Sequence, residues 1–127
     1  MSKHGLPLAS EILVVDDAAF MRLRAAKLLA EAGHEVIEAE NGRLAVETYL
    51  RERPDCVLMD ITMPEMDGLE ALAQIRLQDP QARVAMLTAL GQQSIVMDAI
   101  KRGARDFVVK PFAPGRVLAA VNRLLVA

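Results

Sequence analysis

Five short apolar runs recur along the chain at similar intervals, and this recurrence limits the fold more than any other feature. The first, third and fourth runs are almost continuous in Ile, Leu, Val and Met, as is typical of strands buried on both faces of a parallel sheet. The second run contains Glu35 and Glu38, which favours a sheet edge. The runs are Ile12 to Asp16, Val36 to Ala39, Cys56 to Asp60, Val84 to Thr88 and Phe107 to Lys110.

Stretches with helical periodicity separate these runs. In the first stretch, apolar residues recur every three or four positions from Met21 to Ala32, and Gly33 is placed to end the helix. The other predicted helices are about Gly42 to Arg53, Leu69 to Gln78, about Gln92 to Arg102, and Pro114 to Leu125. The alternation predicts an α/β fold, a (βα)5 three-layer sandwich with right-handed crossovers and helices on both faces of a parallel sheet. We predict an N-terminal tail at residues 1–10 and a single domain at residues 11–127.

Composition argues against several classes of protein. Fifteen basic and seventeen acidic residues give a net charge of −2, so no basic excess attracts a nucleic-acid backbone. Four aromatic residues are too few for a base-stacking platform. The single cysteine, Cys56, rules out an internal disulfide, and no apolar run approaches the ~18 residues of a membrane span. We expect a cytoplasmic protein with no direct nucleic-acid or membrane partner.

Polar residues that could bind a ligand or take part in a reaction lie where four of the five runs end. The first run ends in Asp16 and Asp17, the third in Asp60, the fourth in Thr88 and the fifth in Lys110. In open parallel sheets, ligands bind beyond the carboxyl ends of the strands. The sequence therefore predicts that these five side chains converge at one edge of the sheet.

Three carboxylates at one place repel each other, by roughly 4 kcal/mol for two charges ~4 Å apart at an effective dielectric of 20. A divalent cation with a preference for oxygen ligands, Mg²⁺ above all, would relieve that repulsion. A lysine and a hydroxyl nearby would suit a phosphoryl group. Each feature alone has an ordinary explanation: Asp16 and Asp17 as caps of the first helix, Asp60 as a loop residue, Lys110 with Pro111 as a turn. Their joint placement favours the site.

Four segments together resemble the receiver domain of bacterial response regulators, in its stand-alone, single-domain form. They are VVDD (Val14 to Asp17), LMDITMPEMDG (Leu58 to Gly68), LTA (Leu87 to Ala89) and GARDFVVKPF (Gly103 to Phe112). The resemblance extends from about Glu11 to Ala127, nearly the whole chain. It implies a flavodoxin-like, five-stranded parallel sheet in the order 2-1-3-4-5.

The resemblance also implies a role for each acid at the sheet edge. Asp60 matches the phosphoacceptor, a carboxylate nucleophile that takes a phosphoryl group from the phosphohistidine of a sensor histidine kinase or histidine phosphotransfer protein. Asp17 matches a direct Mg²⁺ ligand, and Asp16 matches the acid that holds the metal mainly through water. Asp60 and the backbone carbonyl of Thr62 would complete the metal site. Such a protein catalyses only its own phosphorylation and dephosphorylation and is not a metabolic enzyme.

The remaining residues match the parts of the family's switch. Lys110 matches the lysine that pairs with the phosphoryl oxygens, and Pro111 the proline of a cis peptide. Thr88 matches the switch hydroxyl, and Phe107 the aromatic switch residue. The family usually binds downstream proteins at its fourth helix, fifth strand and fifth helix. We expect a monomer or weak dimer that signals there.

Two further expectations concern neighbouring positions. In this family, Thr62 and Leu90 influence how long the phosphoryl group survives. Leu90 is apolar and would shield it from water, which predicts moderately slow self-dephosphorylation. On the fourth helix, Val96 and Ile100 lie four residues apart and either belong to the output surface or face the core.

Other functions are compatible with parts of the pattern. A phosphatase of the haloacid dehalogenase type also uses Asp, Thr, Lys and Mg²⁺, but its nucleophile lies in a DxD motif after the first strand, whereas here the first acids are adjacent. A receiver that cannot be phosphorylated is disfavoured because every expected site residue is present. The chain would also fit a receiver fragment of a longer, multidomain regulator. The stretch DDAAFMR (Asp16 to Arg22) is a weak indication of chemotaxis.

Overall fold

A computed structural model describes residues 10–89 and 93–126, in which five strands alternate with five helices. Each predicted boundary lies within one residue of the observed one except the start of the first helix, which lies two residues before Met21, and the predicted helix start at Gln92 lies outside the described residues. Within the two described ranges, no helix is long and apolar enough to cross a membrane. The elements are β1 Glu11–Val15, α1 Ala19–Glu31, β2 Glu35–Ala39, α2 Gly42–Glu52, β3 Cys56–Asp60, α3 Gly68–Gln78, β4 Val84–Ala89, α4 Gln93–Lys101, β5 Asp106–Lys110 and α5 Pro114–Val126.

All five strands are parallel and lie in the order β2-β1-β3-β4-β5. This confirms the predicted α/β fold and strand order. The strand β2 lies at one edge, as its interrupted apolar run predicts, and Glu35 and Glu38 are exposed there. The strand β5 lies at the other edge and pairs with β4 alone. After β2, the chain returns past β1 and adds the remaining strands on its other side. The carboxyl ends of β1 and β3 therefore flank the predicted ligand position.

Two apolar clusters, one on each face of the sheet, form the core. Successive residues of a strand point to opposite faces, so Leu13 and Val15 join one cluster while Ile12 and Val14 join the other. All four are fully buried. The first cluster includes residues of α2, α3 and α4, and the second includes residues of α1 and α5. Burial on both faces explains why the central strands are apolar at consecutive positions.

The backbone at the β5 edge is covered by side chains of the same chain. The Phe107 N–H donates to Asp106 Oδ1 at 2.8 Å, and the Phe107 carbonyl accepts from Arg116 Nη2 at 2.6 Å. Asp106 also forms an ion pair with Arg123. An edge strand with free backbone groups is a template for pairing with another chain, and these contacts occupy both groups of Phe107.

Candidate functional site

The predicted acids meet at the carboxyl ends of β1 and β3. Asp16, Asp17 and Asp60 each place a carboxylate oxygen so that the three atoms lie within 4.8 Å of one another. Asp16 and Asp60 are buried, 1% and 7% exposed, whereas Asp17 is exposed. The structure therefore brings together the three acids that were predicted from the strand ends.

Asp16 does not cap the first helix, so that interpretation of the acid pair is wrong. The N-cap of α1 is Ala18, and no side chain caps this helix. Asp16 Oδ1 instead accepts a hydrogen bond from the Ala18 N–H at 2.9 Å, which stabilises the turn between β1 and α1. Its second oxygen, Oδ2, accepts from Lys110 Nζ at 2.9 Å. Both oxygens of this buried carboxylate thus have partners, as buried polar groups require.

Lys110 extends from the end of β5 and contacts two of the acids. Its Nζ lies 2.9 Å from Asp16 Oδ2 and 3.3 Å from Asp60 Oδ1. Burial opposes the charged ammonium, but the two carboxylates outweigh it and raise the pKa of Lys110. The peptide bond between Lys110 and Pro111 is cis, as the resemblance implies. One fixed cation is therefore shared between two carboxylates.

The ionisation of Asp60 is disfavoured by burial. Burial raises the pKa of Asp60 from 3.8 to about 6; Lys110 opposes this rise and the charge of Asp16 adds to it. Three carboxylates with one lysine leave an excess of negative charge, and hard oxygen ligands of this kind fit a small divalent cation such as Mg²⁺. The donor set is thus suited to the metal that the sequence predicts.

The loop after Asp60 is packed against the end of β3 at a glycine. The Gly68 N–H donates to the Ile61 carbonyl at 2.7 Å. A Cβ atom at Gly68 would lie 2.1 Å from the backbone carbonyl oxygen of Asp60, a distance that no side chain tolerates. The role of Gly68 was not predicted, although Asp67-Gly68 at the start of a helix is a signal for a cap followed by close packing. Asp67 does cap α3, because its side chain accepts from the Glu70 N–H.

The predicted switch residues lie on β4 and β5. Thr88 is 2% exposed, and its hydroxyl donates to the Ala89 carbonyl at 3.2 Å. Phe107 is half-buried and packs against the apolar cluster that contains residues of α2, α3 and α4. Thr62, whose backbone carbonyl the resemblance assigns to the metal, is exposed in the loop after β3. Leu90 lies outside the described residues.

On α4, the predicted output residues differ in their placement. Ile100 is 44% exposed, whereas Val96 is buried, so the alternative that places Val96 on the output surface is wrong. Met97, which was not predicted, is 57% exposed. Met97 and Ile100 lie three residues apart and therefore share one face of the helix; that spacing was a signal available in the sequence. The exposed face of α4 is thus apolar at Met97 and Ile100.

A third residue that was not predicted, Arg22 of α1, contacts the turn that carries the acids. Its guanidinium donates to the Asp16 backbone carbonyl at 2.8 Å and to Glu38 at 3.0 Å. The sequence signal for this contact is spacing, since Arg22 follows Asp17 by little more than one helical turn. Arg22 and Glu38 also line a surface cleft of about 330 Å³ with Ala39, Glu40, Leu44 and Thr48.

Comparison with known proteins places this site in a family. Residues 12–122 match the family model described as the response regulator receiver domain. The chain belongs to this family. The receiver is 57% identical over 119 residues to the chemotaxis protein CheY of Bacillus subtilis, covering 93% of this chain and 99% of that protein. It is 51% identical over 118 residues to the CheY of Thermotoga maritima, covering 92% and 98%.

The fold of this receiver also matches solved structures. One of them, the CheX-CheY-BeF3-Mg²⁺ complex from Borrelia burgdorferi, is 37% identical and aligns with a TM-score of 0.87 over 92% of this chain and 90% of that one. Family membership confirms the predicted receiver and its role in two-component signalling, and it does not favour the phosphatase alternative.

Proposed function

We propose that this receiver is a single-domain response regulator that accepts a phosphoryl group on Asp60. The observation that carries the proposal is the sharing of Lys110 Nζ between Asp16 and Asp60, with the Asp17 carboxylate within 4.8 Å of both. In the reaction, a carboxylate oxygen of Asp60 bonds to phosphorus while the phosphorus–nitrogen bond of a phosphohistidine breaks, and the imidazole leaves. The donors are a sensor histidine kinase or a histidine phosphotransfer protein.

Asp16, Asp17, Asp60 and the backbone carbonyl of Thr62 would hold Mg²⁺, which would neutralise charge on the phosphoryl oxygens. Lys110 meets those oxygens from the other side, since its ammonium already lies 3.3 Å from Asp60 Oδ1. Because Asp16 and Asp60 are buried, water screens their charges less than it screens those of surface groups. The receiver catalyses its own phosphorylation and dephosphorylation and has no metabolic substrate.

Phosphorylation adds about −1.5 to −2 charges next to Lys110. Lys110 then exchanges carboxylate contacts for phosphoryl contacts, and the Thr88 hydroxyl turns from the Ala89 carbonyl towards the new charge. The space that Thr88 vacates admits the half-buried ring of Phe107. A shift between two populations of this kind alters the surface of α4, β5 and α5, where Met97 and Ile100 are exposed.

The partners follow from this surface and from the relatives. Since the B. subtilis and T. maritima relatives are named chemotaxis proteins, we place this receiver in chemotaxis, with a downstream protein bound at α4, β5 and α5. Direct binding of nucleic acid or membrane is not part of the proposal. A cytoplasmic location and a monomeric or weakly dimeric state are part of it.

Acetyl phosphate with Mg²⁺ tests the proposal. Intact mass spectrometry should show an adduct of about +80 Da on the wild type and none on Asp60→Asn. The matched control is Asp98→Asn, which replaces a half-exposed acid on α4 and should form the adduct normally. A wild type that forms no adduct contradicts the proposal, and turnover of many phosphoesters would point to a phosphatase.

The lifetime of the phosphoryl group is a separate part of the proposal. Leu90 follows Thr88 by two residues and, being apolar, is expected to exclude attacking water from the aspartyl phosphate. Decay of the phosphorylated wild type should therefore be slower than that of Leu90→Glu. Equal decay rates would show that Leu90 has no such role.

A further inference from the structure

An arginine from α1 holds the turn that carries the two adjacent acids. Arg22 Nη1 donates to the backbone carbonyl oxygen of Asp16 at 2.8 Å, and Nε donates to Glu38 Oε1 at 3.0 Å. The Arg22 side chain is only 17% exposed. One guanidinium therefore connects the turn between β1 and α1 to the carboxyl end of β2.

The carbonyl that Arg22 contacts belongs to the peptide group that joins Asp16 to Asp17. Because a peptide group is planar, fixing its oxygen also fixes the position of the Asp17 N–H and Cα. The Asp16 N–H donates to the Ala39 carbonyl at 3.2 Å, so the backbone is held on both sides of Asp16. These contacts fix the point from which the Asp17 side chain leaves the backbone.

Asp17 depends on this backbone more than the other acids do. Asp16 and Asp60 are buried and contact Lys110, so packing and charge orient them. Asp17 is exposed. No side chain caps the start of α1, so the backbone around Asp17 is held by the Ala18 N–H bond to Asp16 Oδ1 on one side and by the Arg22 bond to the Asp16 carbonyl on the other.

We propose that Arg22 is a positioning residue for the divalent cation, because it holds the Asp16–Asp17 peptide so that both carboxylates face Asp60. The inference rests on the proposed function, in which these acids hold Mg²⁺. Residues that orient metal ligands change metal affinity by about 10–100-fold when they are replaced. Lysine cannot substitute fully, since its ammonium lacks the planar fork that donates in two fixed directions.

Electrostatics and positioning predict opposite results when Arg22 is replaced by a neutral residue. Removal of a positive charge near three carboxylates strengthens cation binding if charge alone matters. Loss of the hydrogen bond to the Asp16 carbonyl weakens cation binding if Arg22 positions the ligands. The sign of the change therefore separates the two effects.

Titration of the full chain with Mn²⁺, followed by electron paramagnetic resonance of the free ion, measures this sign. Arg22→Gln should bind Mn²⁺ at least tenfold more weakly than the wild type, and Arg22→Lys about threefold more weakly or worse. Lys27→Gln is the matched control, because Lys27 is an exposed cation on the same helix; its affinity should equal or slightly exceed that of the wild type. Circular dichroism melts in EDTA establish whether each variant is folded. If Arg22→Gln does not fold, the Mn²⁺ affinity of Arg22→Lys decides the result.

The dependence of the acetyl phosphate reaction on Mg²⁺ gives a second measurement. For Arg22→Gln, the Mg²⁺ concentration at half-maximal rate should rise about tenfold, while the rate at saturating Mg²⁺ stays close to that of the wild type. A general loss of structure would lower both. Unchanged or tighter Mn²⁺ binding by Arg22→Gln overturns the positioning role and leaves the proposed function intact. A wild type that neither binds Mn²⁺ nor forms an adduct overturns the proposed function itself.

Discussion

The burial of an ionised Asp60, to which the charge of Asp16 adds, should make the metal-free receiver less stable than a variant in which this residue is neutral. The change is Asp60→Asn, measured in EDTA. Burial raises the pKa of Asp60 from 3.8 to about 6, so its ionisation at pH 7.5 costs at most about 3 kcal/mol of folding free energy. Screening by water at the exposed side of the site, near Asp17, reduces this to about 1–2 kcal/mol. We expect Asp60→Asn to unfold about 3–6 °C higher than the wild type.

The pH dependence gives the same prediction a second form. Because the pKa of Asp60 in the folded state lies above its unfolded value, the folded state binds a proton more readily between pH 4 and 6. The stability linked to this proton is fully present below about pH 4 and is lost as the pH rises through about 6. The advantage of Asp60→Asn should therefore be large at pH 7.5 and small at pH 4.5.

Thermal melts in EDTA and in Mg²⁺ provide the assay. Mg²⁺ at ten times its dissociation constant should stabilise the wild type by about 1.4 kcal/mol and Asp60→Asn by less. Asp17→Ala, which removes an exposed acid, should not destabilise the fold in EDTA. Asp16→Asn is the contrasting control and should lose about 2 kcal/mol, because both of its oxygens accept hydrogen bonds. A marked drop in melting temperature for both Asp60→Asn and Asp17→Ala would refute the reasoning.

Three further predictions concern separate parts of the molecule. Lys110→Ala should lower the free energy of unfolding in EDTA by about 1–3 kcal/mol, because it leaves the acids unpaired, and Mg²⁺ should restore part of the loss; equal melts with and without the metal would contradict this. Gly68→Ala should lower the free energy of unfolding by more than about 2 kcal/mol and impair phosphorylation, since its Cβ would lie 2.1 Å from the Asp60 carbonyl oxygen. Gly115→Ala is the control: its Cβ would have no atom within 4 Å, so stability should change by less than about 1 kcal/mol. Burial lowers the pKa of His34 against the opposing charge of Asp55, so the stability that the neutral ring contributes is present above about pH 6.5 and is lost as the pH falls through the folded-state pKa. In urea unfolding, the stability of His34→Gln should therefore depend less on pH than that of the wild type between about pH 7 and 5. Identical pH dependence in the two proteins would argue against the burial of this ring.

The fold was predictable because burial on two faces leaves a direct trace in the sequence. Ile12 to Val15 are consecutively apolar because neighbouring residues enter different clusters. Glu35 and Glu38 interrupt the run of β2, and that strand lies at the edge. Strand ends were predictable for the same reason, since Asp60 and Lys110 come where the apolar runs stop.

Features that depend on contacts between distant segments were less predictable. The burial of Val96 and the exposure of Met97 depend on how α4 rotates against the sheet, and both residues are apolar, so composition does not separate them. The bond between Arg22 and the Asp16 carbonyl uses a backbone atom, so the sequence indicates it only through the spacing of Arg22 from Asp17. The constraint at Gly68 is also a backbone atom, the carbonyl oxygen of Asp60, and the sequence indicates it only through Asp67-Gly68 at the start of a helix.

The contacts at the two edges of the sheet have a consequence for how this receiver associates with other proteins. At β5, Asp106 and Arg116 occupy the backbone N–H and carbonyl of Phe107, and at β2 the exposed carboxylates of Glu35 and Glu38 repel a like-charged strand. An incoming peptide or second copy therefore gains little by extending the sheet. We therefore expect partners to recognise side chains on the proposed surface of α4, β5 and α5, and changes in partner preference to follow from substitutions there.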